Sequence, residues 1–240
     1  LVGTMADYVI SNADDVSLVP SNLTHEEIAG IPLAGLTSYQ ALIDVAKLLP
    51  GENILIHAGA GGVGSIAIQL AKHLGAKVTT TTSTKNIGLV QKLGADNIID
   101  YTKQSYLDEG PKFDVVFDTL GGKYTLDSFK ILKKGGRVIS IAGDVDNITT
   151  KQLGLNRIIR FLLRLKAKRV TNAASKIGAR YRFLLMSPNG DQLKKLVKLY
   201  ESGLIKPVID KAYKFDESIQ ALEYLSKGRA KGKVIVKFIE

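Results

Sequence analysis

"NILIHAGAGGVGSIAIQLAKHLGAKVTTTTSTKN", residues 53–86, holds a short apolar run, a glycine-rich turn, an amphipathic stretch and a run of β-branched residues. "NILIHAG" reads as a buried strand, because a short continuous apolar run closed by glycines leaves no face for solvent. Val63, Ile66, Ala67, Leu70, Ala71 and Leu74 then recur at helical spacing, and Gly75 stands where a helix C-terminal cap belongs. "KVTTTT" is the next strand. Strand, turn, helix and strand in this order make a βαβ unit with parallel strands.

Gly59, Gly61 and Gly64 fit G-x-G-x-x-G between that strand and that helix. Glycines let the backbone turn tightly and approach a pyrophosphate without a Cβ in the way. The helix N-terminus adds free N–H groups and the positive end of its dipole. The turn therefore predicts a dinucleotide site; the plainer reading is a turn that only allows close helix–strand packing. In such a site a carboxylate at the end of the second strand accepts from a ribose 2′-hydroxyl and would repel a 2′-phosphate. That strand end falls at Thr82 or Ser83, and no acid lies between Glu52 and Asp96. Ser83, Thr84 and Lys85 offer hydroxyls and an ammonium instead, which suits a dianionic phosphate, so NADP(H) is favoured over NAD. Thr79 to Thr82 need no reason beyond strand preference.

Outward from this unit the alternation continues. "TKNIGLVQKLG" reads as a helix, "NIID", "FDVVFDTL" and "GRVISIAG" as strands, "KYTLDSFKILKKG" as a helix with a glycine stop, and "RYRFLLM" as a sixth strand. This predicts an α/β fold over residues 35–185, a doubly wound parallel Rossmann sheet of about six strands. Residues 1–34 carry the strand-like "MADYVIS", a turn at Pro20 and a helix from Thr24, with Glu27 completing a capping box. Residues 186–240 hold two helices and end in the strand "KGKVIVKFI". Both ends are assigned to a second structural unit that the α/β domain interrupts.

The 240 residues are 45% hydrophobic and 23% charged, as in an ordinary globular chain. With no cysteine the sequence excludes disulfides and thiolate zinc sites, and it suits a reducing compartment, so a cytoplasmic location is expected. No apolar run approaches the ~20 residues of a membrane span, and the start has no signal-peptide pattern. His25, His57 and His73 are scattered without ligand spacing, so no metal site is expected. The net charge of +10 is local: residues 151–182 contain ten Lys and Arg and no Asp or Glu, and the remainder balances. Leu155, Ile158, Ile159, Leu162 and Leu163 or Leu165 form an apolar stripe there, with the cations largely on other faces. The favoured reading is a helix packed on the sheet edge with solvated charges. The alternative is a nucleotide-binding module whose basic face binds RNA or an anionic membrane.

"IPLAGLTSYQAL" followed by "GENILIHAGAGGVGSIAIQLAKHLGAKV" resembles the medium-chain dehydrogenase/reductase superfamily, within it the zinc-free quinone oxidoreductase branch. "STKN", "LGAD..IDY", "FDVVFDTLGG", "LKKGGRVISIAG" and "RAKGKVIV" match in order, so the likeness spans the whole chain. Members begin with a GroES-like half that precedes "ADYV" and carries part of the substrate cleft; it is absent from this sequence, and residues 1–34 and 186–240 resemble the rest of that catalytic domain. The resemblance implies an NADP-dependent oxidoreductase that passes hydride to a quinone, enone or related carbonyl compound. It also implies a homodimer joined through the edge strand near residues 181–185, and weak or no turnover by these residues alone.

Carried over position by position, the resemblance places Thr37 beside the nicotinamide ribose or the phosphates. Gly61, Gly62 and Val63 meet the pyrophosphate, and Ser83, Lys85 and Tyr101 the 2′-phosphate. Leu120 and Gly121 border the adenosine or ribose, and Ala142 and Gly143 approach the nicotinamide. Phe183, Leu184 and Leu185 offer backbone groups to its amide, and Gly232 and Lys233 lie in the closing cofactor motif. Leu33 stands where zinc enzymes of the superfamily carry a cysteine ligand. No catalytic proton donor can be named; Asp114 and Asp118 read as structural acids at a strand.

Overall fold

The computed structural model describes residue 6, residues 8–19 and residues 22–238. In chain order its main elements are α1 (His25–Ala29), α2 (Pro32–Tyr39), β1 (Asn53–Ile56), α3 (Gly64–His73), β2 (Lys77–Thr82), α4 (Ile87–Lys92), β3 (Asn97–Asp100) and β4 (Phe113–Asp118). There follow α5 (Lys123–Ile131), β5 (Leu132–Ser140), α6 (Asn147–Gln152), α7 (Arg157–Lys166), α8 (Lys168–Lys176), β6 (Arg180–Phe183), α9 (Gly190–Glu201), β7 (Ile209–Lys214), α10 (Ser218–Ser226) and β8 (Lys233–Lys237). A π-helical segment, Gln40–Val45, continues α2.

Six parallel strands form one sheet in the order β3-β2-β1-β4-β5-β6, the doubly wound arrangement the alternation predicts. Strand periodicity divides the core in two. Ile54, Ile56, Val115, Phe117 and Ile139 point to the side covered by α2, α3 and α9. Leu55, Val116 and Val138 point to the other side, with Phe129, Val170 and Ala174 of α5 and α8. The strand order reverses between β1 and β4, so a crevice opens at the C-terminal ends of these strands. β7 and β8 pair in a separate two-stranded sheet that packs on α1, where Lys237 and Glu26 form an ion pair of 2.7 Å.

Local rules hold at several ends. Thr24 and Glu27 form the expected capping box, and Gly75 and Gly94 take positive φ after α3 and α4. Two expectations fail. Residues 8–11 of "MADYVIS" form no strand; Tyr8 and Ile10 are exposed, and alternation without a partner strand yields no ladder. Met5, Asp7 and Pro20 lie outside the described residues. The helix expected to stop at Gly135 ends at Ile131, because Leu132 turns extended and pairs with Phe113. Gly135, at φ +79°, instead serves an irregular start to β5 and donates its N–H to the carbonyl of Ile177.

Arg137 on β5 anchors the far edge of the sheet. It is 9% exposed, grips both carboxylate oxygens of Glu52, and donates to the carbonyls of Ala46 and Lys47. Burial pushes the Glu52 carboxyl up, but its bonds with Arg137 and the Leu49 N–H outweigh this and hold it below the usual range. Arg137→Met removes the cation paired with that carboxylate and leaves two carbonyls without its donors, so the urea midpoint should report a loss of about 3 kcal/mol.

Candidate dinucleotide site

The glycine turn is shaped by the strand beside it. Thr80 Oγ1 donates to the carbonyl of Ile56 across 2.7 Å, and Thr81 Oγ1 accepts from the Ala58 N–H across 3.0 Å. Gly59 N–H donates to the Thr81 carbonyl, and a Cβ on Gly59 would fall 2.1 Å from Thr80 Oγ1. The threonine run is thus more than strand preference: its hydroxyls tie β2 to the end of β1 and to the turn, and Thr80 requires the glycine opposite. Ala58 holds φ at +51°, a left-handed backbone that these bonds maintain. α3 opens at Gly64 with no side-chain cap; the Ser65 N–H already donates to the Gly61 carbonyl, which leaves the Gly64 N–H to an anion.

A cavity of 320 Å³ lies beyond the turn, bounded by Gly61, Ser83, Lys85, Asn86, Tyr101 and Arg229. It presents two cations and no carboxylate. Asn86, on its wall, has its Oδ1 buried with no hydrogen-bond partner among the described residues. Thr84, grouped by sequence with Ser83 and Lys85, turns away: its hydroxyl donates to Asp100, which also accepts from the N–H and hydroxyl of Thr102. Asp100 ends β3 next to Tyr101, and these hydroxyls hold its carboxyl below the usual range. A second cavity of 720 Å³ adjoins Tyr101 and is walled by His57, Tyr106, Leu120 and Tyr124. His57 packs edge-on to Tyr106, with ring centroids 4.8 Å apart.

The closing motif reaches the same place from the other end of the chain. Gly61 bridges Gly232 as an isolated parallel pair, and the Gly232 N–H donates to the Ala60 carbonyl across 2.8 Å. The stem of Lys233 lies against Gly62, and burial lowers the pKa of its ammonium. Arg229 precedes this contact. Sequence reasoning stopped at Gly232 and Lys233 and missed it; the signal available was a further cation in "RAKGKV".

The remaining predicted residues are spread along the same sheet edge. Val63 precedes α3 and accepts from Ser38 Oγ. Thr37 is buried on α2, with its hydroxyl donating to the Leu33 carbonyl, and borders neither cavity. Gly121 packs on Ala142 so closely that a Cβ would fall 2.1 Å from the Ala142 carbonyl oxygen. Asp118, fully buried, accepts from the N–H groups of Leu120 and Gly121 and from Thr125 and Ser140, while Ser140 Oγ in turn accepts from Gly143 N–H. Asp118 therefore shapes the loops after β4 and β5. Phe183, Leu184 and Leu185 border a third cavity of 420 Å³ beside α6. The N–H of Phe183 is engaged by Asp146 and that of Leu184 by the Ser140 carbonyl, so neither donor is spare for an amide. The basic stretch departs from the favoured reading in part. α8 buries Val170 and Ala174, but α7 buries no residue.

A doubly wound sheet with a glycine turn, an uncapped helix and a cationic cavity at its C-terminal edge defines a dinucleotide-binding dehydrogenase domain. The chain belongs to the zinc-binding dehydrogenase family, whose pattern matches residues 93–236, and through it to the medium-chain dehydrogenase/reductase superfamily. It is 39% identical over 239 residues to 2-methylene-furan-3-one reductase of Solanum lycopersicum, covering 98% of this chain and 52% of that protein. It is 37% identical to the NADPH-dependent alkenal/one oxidoreductase, chloroplastic, of Arabidopsis thaliana, covering 98% of this chain and 53% of that one. Among solved structures, the quinone oxidoreductase from Coxiella burnetii is 33% identical with a TM-score of 0.76, over 91% of this chain and 62% of that one. The chain thus spans about half the length of the curated relatives it matches.

Proposed function

We propose that this chain binds NADP(H) and that, within the enzyme it represents, it supports zinc-independent hydride transfer to an enone, quinone or related carbonyl compound. The observation that carries the reading is the 320 Å³ cavity, where Ser83, Lys85 and Arg229 converge with no carboxylate on the wall. A 2′-phosphate there receives charge-assisted hydrogen bonds that a 2′-hydroxyl cannot match. The glycine turn and the start of α3 face the pyrophosphate, with the Lys233 ammonium behind it. The base fits the second cavity between Tyr101 and Tyr124.

The reduced nicotinamide supplies the hydride when bound. The chain's own residues place the cofactor: the Asp118 network fixes the loops at Gly121 and Gly143, and the Gly61–Gly232 bridge closes the turn. Zinc independence rests on the absence of cysteine and on Leu33 at the ligand position. We assign residues 1–34 and 186–240 to a second unit, supported by the packing of β7 and β8 on α1.

Calorimetric titration tests the cofactor assignment. NADPH should bind at least ~tenfold more tightly than NADH, and Lys85→Ala or Arg229→Ala should remove most of that gap while leaving NADH binding unchanged. Equal affinity of the unaltered chain for both cofactors would sink the reading.

A further inference from the structure

Helix α7, "RIIRFLLRLK", is folded inside out for a surface helix. Ile158, Phe161, Leu162 and Leu165 are 73%, 60%, 58% and 52% exposed. At about 100° per residue these four side chains share one arc of the helix, with Arg157 and Arg164 along one border and Lys166 along the other. The half-buried residues are Arg160 and Leu163, on the opposite side. Arg160 reaches Asn147 Oδ1 only at 3.5 Å, and its Nε is buried without a partner. An ordinary amphipathic helix would turn the arginine out and the four apolar residues in.

Charge selects what covers the outward face. Residues 151–182 carry ten cations and no acid, and Arg157 and Arg164 form no ion pair with a described residue. Two copies meeting through α7 would oppose like charges. A nucleic acid would set its phosphates against four large apolar side chains, with cations only at the borders. An apolar strip edged by Arg and Lys is the pattern of a helix lying in the plane of an anionic lipid surface. We propose that α7 is an interfacial anchor, with Ile158, Phe161, Leu162 and Leu165 entering the headgroup–acyl boundary and Arg157 and Arg164 pairing with acidic headgroups, while Lys166 lies 3.8 Å from Asp144 at the other border. No helix among the described residues is long and apolar enough to cross a membrane. The proposal stands apart from the cofactor reading.

Flotation of the 240-residue chain with lipid vesicles tests it. Vesicles of phosphatidylcholine containing about 30% phosphatidylserine should bind at least ~tenfold more strongly than phosphatidylcholine alone, and raising salt from ~0.1 to ~0.5 M should weaken the binding. A chain of net charge +10 could meet such vesicles through charge alone, so the apolar stripe is probed separately. Phe161→Ser with Leu165→Ser should lower the affinity at least ~tenfold, with the thermal midpoint and NADPH affinity unchanged, since neither side chain is buried. The sequence has no tryptophan, so Phe161→Trp gives a single reporter whose emission should shift blue on anionic vesicles. Several results overturn the proposal: no vesicle binding, binding that survives the double serine change, or indole emission that stays unshifted in the bound Phe161→Trp chain. RNA binding, or self-association that the serines abolish, in a chain that ignores vesicles would overturn it in favour of that other partner.

Discussion

Gly64→Ala is expected to lose more than about 3 kcal/mol of stability, whereas Gly61→Ala should lose about 1 kcal/mol or less. The two glycines belong to one motif, but their surroundings differ. A Cβ on Gly64 would lie 2.4 Å from the Ala58 carbonyl oxygen, 2.8 Å from Gly59 Cα and 3.0 Å from the Ala58 carbonyl carbon. All three are backbone atoms of the turn, so no side chain can rotate away. The start of α3 must lift off the turn, and the contacts of Ile66 and Leu70 with the core go with it. A Cβ on Gly61 meets only the Ala58 oxygen, at 3.2 Å, a distance that a small shift relieves. Gly61 instead borders the 320 Å³ cavity and bridges Gly232, so its substitution should lower NADPH affinity by ~tenfold or more in a chain that still folds. Urea midpoints and calorimetry on the two variants separate these effects. Similar stability losses would mean that the turn's glycines share one role rather than dividing packing from binding.

The sheet was legible because hydrophobic period and glycine punctuation agree along the chain. The runs at Ile54, Val115 and Val138 are long enough to demand burial on both faces, and Gly75 and Gly94 end their helices as read. The boundary at Leu132 was not legible: "ILKKGG" suits a helix end as well as a strand start, and only pairing with Phe113 decides. Pairing is also what residues 8–11 lack. The hydroxyls of Thr80 and Thr81 look like strand filler until β1 lies beside them, since their partners are 24 and 23 residues away. Proximity in sequence groups Thr84 with Ser83 and Lys85, yet Asp100 claims it across the sheet edge. Arg229 enters the cavity only because Gly232 docks on the turn, a contact between distant segments. The outward turn of α7 was equally hidden, since periodicity gives a helix its stripe but not the direction in which the stripe faces.

The chain is expected to lose about 3 kcal/mol of stability between roughly pH 7 and pH 4 through one residue, His57. Its ring is fully buried, its Nδ1 lies 3.3 Å from Thr81 Oγ1, and its Nε2 has no partner. Burial therefore pushes the pKa down from 6.5 to about 4, against a smaller upward pull from the Asp118 charge. The sign follows from proton counts. Above pH ~6.5 the ring is neutral in both folded and unfolded chains, and its contribution is fully present. Between 6.5 and about 4 the unfolded chain holds a proton that the folded chain does not, so stability falls as pH falls. Paired carboxylates such as Asp96 and Asp114, whose pKa values are lowered, add losses of their own in acid. The comparison is therefore made with His57→Phe, which keeps those carboxylates and the edge-on ring packing but cannot be protonated. Urea midpoints at a series of pH values should show the gap between the two proteins shift by about 3 kcal/mol in favour of the variant from neutral pH down to pH 4. A constant gap would show that the ring gains a proton partner inside the fold, and that His57 sits in a wetter pocket than Tyr106 and Tyr124 enclose.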